Sequence, residues 1–121
     1  MKKGGAQLGI AGEDAAVRHL RRCGYTIVAR NFKGGGCEVD VVARDGATLV
    51  FVEVKTRSGL GFGHPAEAVT ARKRQQIERA ALAWLATHGG GEPPVRFDVV
   101  AVLWEGDSPK IELIRNAFES R

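Results

Sequence analysis

Asp40, Glu53 and Lys55 are the residues of this chain whose types and spacing best suit chemistry. Glu53 and Lys55 lie in FVEVKTR, residues 51–57, the most strand-like stretch of the sequence. Side chains on a strand alternate faces, so Phe51, Glu53 and Lys55 point to one side and Val50, Val52 and Val54 to the other. EVDVVAR, residues 38–44, precedes it across Asp45-Gly46, a strong two-residue hairpin signal. With those two residues as the turn, Arg44 pairs with Ala47, Val42 with Leu49, Asp40 with Phe51 and Glu38 with Glu53. Glu38, Asp40, Glu53 and Lys55 then share a face, with Asp40 diagonal to Glu53 at roughly 7 Å between backbone positions.

Carboxylates that close repel, at about 3 kcal/mol per pair for roughly 5 Å and an effective dielectric near 20. Lys55 supplies one compensating charge. Mg²⁺ is the obvious second, a hard cation held by one or two carboxylates with waters and phosphate oxygens, and Mn²⁺ has the same ligand preferences. A cation held there lowers the pKa of a bound water and stabilises charge building on a phosphate. The alternative is a solvated charged face with weak ion pairs. The neighbouring residues argue against it: Val41, Val50, Val52 and Val54 make one face apolar, and Val42, Leu49 and Phe51 the other.

Around these groups the sequence lays out a simple order of elements. Ala15, Ala16, Val17 and Leu20 fall at helical spacing, predicting a first helix from about Gly12 to Cys23 that stops at Gly24. YTIVARNF follows as a strand, and KGGGC, residues 33–37, as a turning connection. After the hairpin, SGLGFGHP is a loop, and the longest helix is predicted from about Ala66 to His88. Val69, Lys73, Ile77, Ala80, Ala81, Trp84 and Leu85 form its stripe. VRFDVVAVLW is a further strand, EGDSP a turn and KIELIRNAF a final strand-like segment. This order predicts an α/β fold with a mixed central sheet of about five strands, flanked by helices and crossed over by the long helix.

Length bounds the rest. The 121 residues suggest one domain, 1–121, with 1–8 as a flexible N-terminus. No apolar run resembles a signal peptide, and AALAWLA is too short to span a bilayer, so a soluble cytoplasmic protein without a membrane partner is expected. Cys23 and Cys37 have neither metal-ligand spacing nor a disulfide framework. A formal charge of +4 suits a phosphate-bearing partner without requiring one. Lys33, Arg57, Arg72, Lys73, Arg74 and Arg79 are the candidates for a phosphate-tracking surface, with a solvated helix face as the alternative. Lys73 falls on the inward stripe of the long helix and so also within reach of the acids. His64, in GFGHP, is a weaker candidate, and Asp98 is expected to pair with Arg96 or a helix residue.

GEDAAVRHLRRCGYTIVARNF, CEVDVVARDG, LVFVEVKTR, AVTARKRQQIERAALAWL and RFDVVAV, taken in order, resemble the YraN family of bacterial proteins. The resemblance runs from about Gly9 to Phe118. That family looks like a branch of the PD-(D/E)xK nuclease superfamily, similar to archaeal Holliday-junction resolvases, and so implies a restriction-endonuclease-like three-layer fold. It also implies a metal-dependent endonuclease acting on DNA, branched or otherwise structured, and often working as a homodimer. Carried over residue by residue, the resemblance gives metal-binding roles to Asp40, Glu53 and the Val54 carbonyl. Lys55 becomes a catalytic lysine and Glu13 an assisting acid. Cys37 stands where the family usually shows glycine. A protein of another class, a nucleic-acid-binding or scaffold protein that keeps the fold without turnover, is the alternative.

Overall fold

The computed structural model describes residues 5–58, 69–88 and 91–119, with side chains for 9–57, 69–88 and 91–119. The elements run α1 (Gly5–Arg22), β1 (Thr26–Gly34), β2 (Cys37–Asp45), β3 (Thr48–Ser58), α2 (Ala71–His88), β4 (Val95–Glu105) and β5 (Ser108–Phe118). The strands make one sheet in chain order. Every neighbouring pair is antiparallel except β3 and β4, which run parallel. A parallel pair needs a crossover connection, and α2 lies in it.

Each helix covers one face of the sheet. On one side Ile77, Ala80, Ala81 and Trp84 of α2 pack with Val42, Leu49, Phe51, Phe97 and Val99. On the other, Ala16, Val17 and Leu20 of α1 pack with Val41, Val50, Val52, Val100 and Val102. β3 and β4 are therefore apolar on both faces, as a centrally placed parallel pair must be. Each fully buried Val or Leu contributes about 1.5–3 kcal/mol to holding the three layers together. This is the three-layer α/β arrangement expected from the sequence. Trp104 belongs to the α1-side core and is buried. No described helix is long and apolar enough to cross a membrane.

The boundaries differ from expectation in two places. α1 begins at Gly5 rather than near Gly12. Gly5, Gly9 and Gly12 weaken the local helical signal, so the extension goes against residue propensity. The other end falls as predicted: Tyr25 N donates to Leu20 O and Gly24 N to Arg21 O, both at 3.0 Å, the Schellman closure. α2 begins at Ala71, because Thr70 caps it: Lys73 N donates to Thr70 Oγ1 at 3.2 Å. Val69 is buried in the α2-side core but precedes the helix. Residues 66–68, His64 and the predicted first four residues of the flexible terminus lie outside the described residues, whereas residues 5–8 are helical.

The hairpin register also differs. Asp45 pairs with Thr48, Arg44 with Leu49 and Val42 with Phe51, so Gly46 and Ala47 form the turn. Gly46 has φ 61° while Asp45 and Ala47 do not enter the left-handed region. One positive φ at the first central position is the type II′ arrangement; a turn at Asp45-Gly46 of type I′ would demand it of Asp45 as well. The shift of two residues keeps every side chain on its face and brings Asp40 level with Glu53 instead of Phe51.

Asp98 is wholly buried and settles the far end of the sheet. Tyr25 Oη donates to its Oδ2 at 2.6 Å, Arg96 Nε to Oδ1 at 2.9 Å, Arg96 Nη2 to Oδ2 at 3.0 Å and Asn116 N to Oδ1 at 2.9 Å. Arg96 also reaches Asp45 at 2.9 Å. Four donors on a buried carboxylate make this a structural tie between the end of α1, β2, β4 and β5, and the expected Arg96 partnership holds.

Candidate metal centre and active site

The site forms where β2 parts from β3. Their pairing ends at Val41↔Val52. Val41 packs on the α1 side, yet Val39, which a regular strand would place on the same face, packs on the α2 side. The strand therefore turns at Asp40. There the Asp40 carboxylate takes the place of a ladder carbonyl, accepting the Val54 N–H at 2.7 Å. The N–H and C=O of one strand residue face the same neighbour, so the Val54 carbonyl also opens toward the gap.

Glu53 sits beside Asp40 on the α2 side and is only 4% exposed. Its Oε1 lies 3.7 Å from Lys73 Nζ of α2, and its Oε2 is buried and meets no N–H or hydroxyl donor, while the adjacent Asp40 carboxyl is close enough to share a proton with Glu53. Burial first, and then the Asp40 charge, push Glu53 up to about 7. Asp40 is raised too, by burial first, although the Val54 N–H opposes the shift; the Glu13 charge adds to the rise. Two buried carboxyl groups side by side, with no full cationic partner for both, are a costly arrangement for the protein alone.

Glu13, Asn31, Asp40, Val54, Lys55 and Arg57 line an open cleft of about 460 Å³, together with Gly9, Ile10 and Thr56. α1 can approach β3 this closely because residue 12 is glycine. A Cβ there would run into Thr56 Oγ1 and lie 3.0 Å from its Cγ2. Glu13, one residue on, is thereby held over the cleft, its Oε1 accepting Arg30 Nε at 3.1 Å and Asn31 Nδ2 at 2.9 Å.

The donor set suits a hard cation. Among the described residues no three His, Cys, Asp or Glu side chains converge as a ligand group. Two carboxylates and a carbonyl with open positions match Mg²⁺, which keeps several waters, and do not match a closed structural zinc site. Glu53 Oε2, which no N–H or hydroxyl donor reaches, is the atom such a cation would satisfy.

A family model described as uncharacterised protein family UPF0102 matches residues 12–102, a span containing every one of these groups except Gly9 and Ile10. The chain belongs to the UPF0102 family. A UPF0102 protein of Geobacter sulfurreducens is 55% identical over 113 residues, covering 93% of this chain and 88% of its own. One from Nocardia farcinica is 54% identical over 112 residues, covering 92% and 88%. One from Acidothermus cellulolyticus is 48% identical over 122 residues, covering 92% of each chain. The YraN resemblance read from the sequence is this family.

The UPF0102 fold brings together Glu13, Asp40, Glu53, Val54 and Lys55, with Arg57 and Lys73 beside them, and disperses the remaining predicted groups. Glu38, expected on the acidic face, instead lines a separate cleft at the β1–β2 turn with Lys33, Gly34, Gly36 and Cys37. The turn of β2 at Asp40 is the reason. Of the six basic candidates, Arg57 lines the acidic cleft and Lys73 meets Glu53. Arg79 lies under the β1–β2 turn, where a Cβ on Gly35 would sit 3.1 Å from its carbonyl. Arg74 stacks over Phe118 at 5.4 Å, so it has a packing role, and Arg72 is exposed at the start of α2. Sequence reasoning missed Arg30 and Asn31, the two residues that hold Glu13. The one available signal was an asparagine inside a strand-like run, a residue type several-fold enriched in the left-handed region.

Proposed function

We propose that this UPF0102 protein is a Mg²⁺- or Mn²⁺-dependent endonuclease that hydrolyses phosphodiester bonds in DNA. The observation that carries the reading is the buried Glu53 carboxyl, whose Oε2 meets no N–H or hydroxyl donor, set beside Asp40, which lines a cleft with Lys55. Asp40, Glu53 and the Val54 carbonyl would hold the cation. When bound, the cation supplies Lewis-acid charge for the phosphate and acidifies a water. Lys55 offers its ammonium to the attacking water or a non-bridging phosphate oxygen, where charge accumulates. Glu13, fixed by two donors, accepts a hydrogen bond at the cleft. Arg57 adds a phosphate contact at the rim. The nuclease resemblance supports branched or otherwise structured DNA as substrate.

The test compares wild type, Asp40→Asn and Lys55→Ala on linear, flapped and four-way DNA with Mg²⁺ or Mn²⁺. Cleavage that both substitutions abolish supports the proposal. Tight, salt-sensitive DNA binding with no cleavage under either metal would instead make the protein a nucleic-acid-binding scaffold.

A further inference from the structure

Asn31 is left unexplained by the fold alone. It has φ 52°, in the left-handed region that non-glycine residues seldom occupy. One other described non-glycine residue, Asn116, has the same φ. Asn116 has a structural reason, because its backbone N–H is delivered to buried Asp98. At Asn31 the side chain makes the contact, donating to Glu13 in the cleft.

The register shows where this distortion falls. Arg30 pairs with Val41 and Phe32 with Val39, so Asn31 stands level with Asp40. Val41 pairs with Val52, so Asp40 stands level with Glu53. Asn31, Asp40 and Glu53 are thus one row across three strands, and both ladders lack a pair at that row. A further irregularity lies in β1 between Ile27 and Ala29. Bulges and left-handed residues re-aim side chains next to functional sites.

We propose that Asn31 is a positioning residue of the active site, its left-handed backbone turning the amide into the cleft to lock the Glu13 carboxylate. This rests on the nuclease reading above. Asn31 and Arg30 both donate to Glu13 Oε1. Two donors on one oxygen fix the carboxylate plane and leave the other oxygen for a water or substrate hydroxyl. Arg30 also binds Asp14 at 2.6 Å, so α1 remains tied to β1 when the amide is removed. Glu13 in turn acts on Asp40 through its charge. Asn31 therefore reaches the acidic pair through Glu13 and needs no contact with the cation.

The sequence has two asparagines, Asn31 and Asn116, so selective [¹⁵N]Asn labelling yields two side-chain amides with matched backbones. Mn²⁺ bound per chain is counted by electron paramagnetic resonance in the same samples. On addition of substoichiometric Mn²⁺ the Asn31 amide broadens far more steeply than that of Asn116, which lies two strands away from Glu53 on β5 and outside the cleft, and Glu13→Gln shifts the first alone. Asn31→Gly keeps the left-handed backbone and removes the amide. It lowers kcat for DNA cleavage by about tenfold to a hundredfold, as loss of a group that orients a site residue does, with KM and Mn²⁺ affinity within about twofold of wild type. Asn116→Gly leaves kcat unchanged. If Mn²⁺ binds and wild type cleaves, but Asn31→Gly is as active as wild type or both amides respond alike, Asn31 has no role and the nuclease reading stands. If wild type neither binds Mn²⁺ nor cleaves, the reading of the site fails and the Asn31 role falls with it.

Discussion

Replacing Glu53 by glutamine is expected to stabilise the metal-free protein, but only above acidic pH. The folded chain holds the Glu53 proton up to about pH 7, against an ordinary value of 4.5. Between those pH values the native state binds more protons than the unfolded state, so stability falls as pH rises. Below 4.5 both states are protonated and nothing is lost. Above 7 the ionised, buried carboxylate costs on the order of 3 kcal/mol relative to its protonated form. Glutamine removes that cost and keeps the shape, and its amide can donate to Asp40. The 3.7 Å ion pair with Lys73, which is one-third exposed, already lowers the Glu53 value, so that figure includes its loss. The net gain is therefore about 3 kcal/mol at pH 8.5. Urea unfolding in EDTA, followed by far-ultraviolet circular dichroism, measures it, and thermal melts should rise by about 9–15 °C. At pH 4.5 the two proteins should unfold together. Equal stability at pH 8.5, or a less stable Glu53→Gln, would refute the claim that the wild-type site stores this cost.

Three further outcomes are expected. Gly12→Ala should push α1 off Thr56 and cost about 1–3 kcal/mol by overpacking, less up to about 1 kcal/mol regained from helix propensity. Thr56→Ala in the same chain should restore most of it, and urea midpoints of the four proteins give the coupling. Asp98→Asn should cost about 3 kcal/mol by leaving Arg96 without its buried partner, whereas Tyr25→Phe, which removes one donor of four, should cost about 1 kcal/mol. Tyr25, the single tyrosine, is pushed up to about 12 by burial and then by its hydrogen bond to Asp98. Its proton is held by the fold, so absorbance titration should show no ionisation near 10 until the protein unfolds, and stability should decline as pH rises from 10 toward 12.

The chemistry of β3 was legible because it contradicts its surroundings: Glu53 and Lys55 interrupt a run of Val and Phe that is apolar on both faces. Parity alone then put Asp40 on the same face, and parity survives a register slip of two. The register itself was not legible, because Asp45-Gly46 suits a type I′ turn by residue type, and the choice depends on which φ values the closed sheet imposes. Glu38 was misplaced for a related reason. Alternation extends an acidic face along a strand indefinitely, whereas β2 turns at Asp40 when it leaves β3. Asn31 and Arg30 escaped because no periodicity marks a residue that breaks its strand. The start of α1 escaped because three glycines lower local helix propensity there.

Calorimetric titration of Mn²⁺ into the wild-type chain and into Asp40→Asn and Glu53→Gln addresses the acidic pair most directly. At pH 7, in buffers of different ionisation enthalpy, one ion is expected to bind per chain with release of part of a proton, since the Asp40–Glu53 pair holds on to a proton near that pH. Release should vanish at pH 8.5, and both variants should lose affinity at least tenfold. Unaltered affinity in either variant, or binding without pH-dependent proton release, would contradict it.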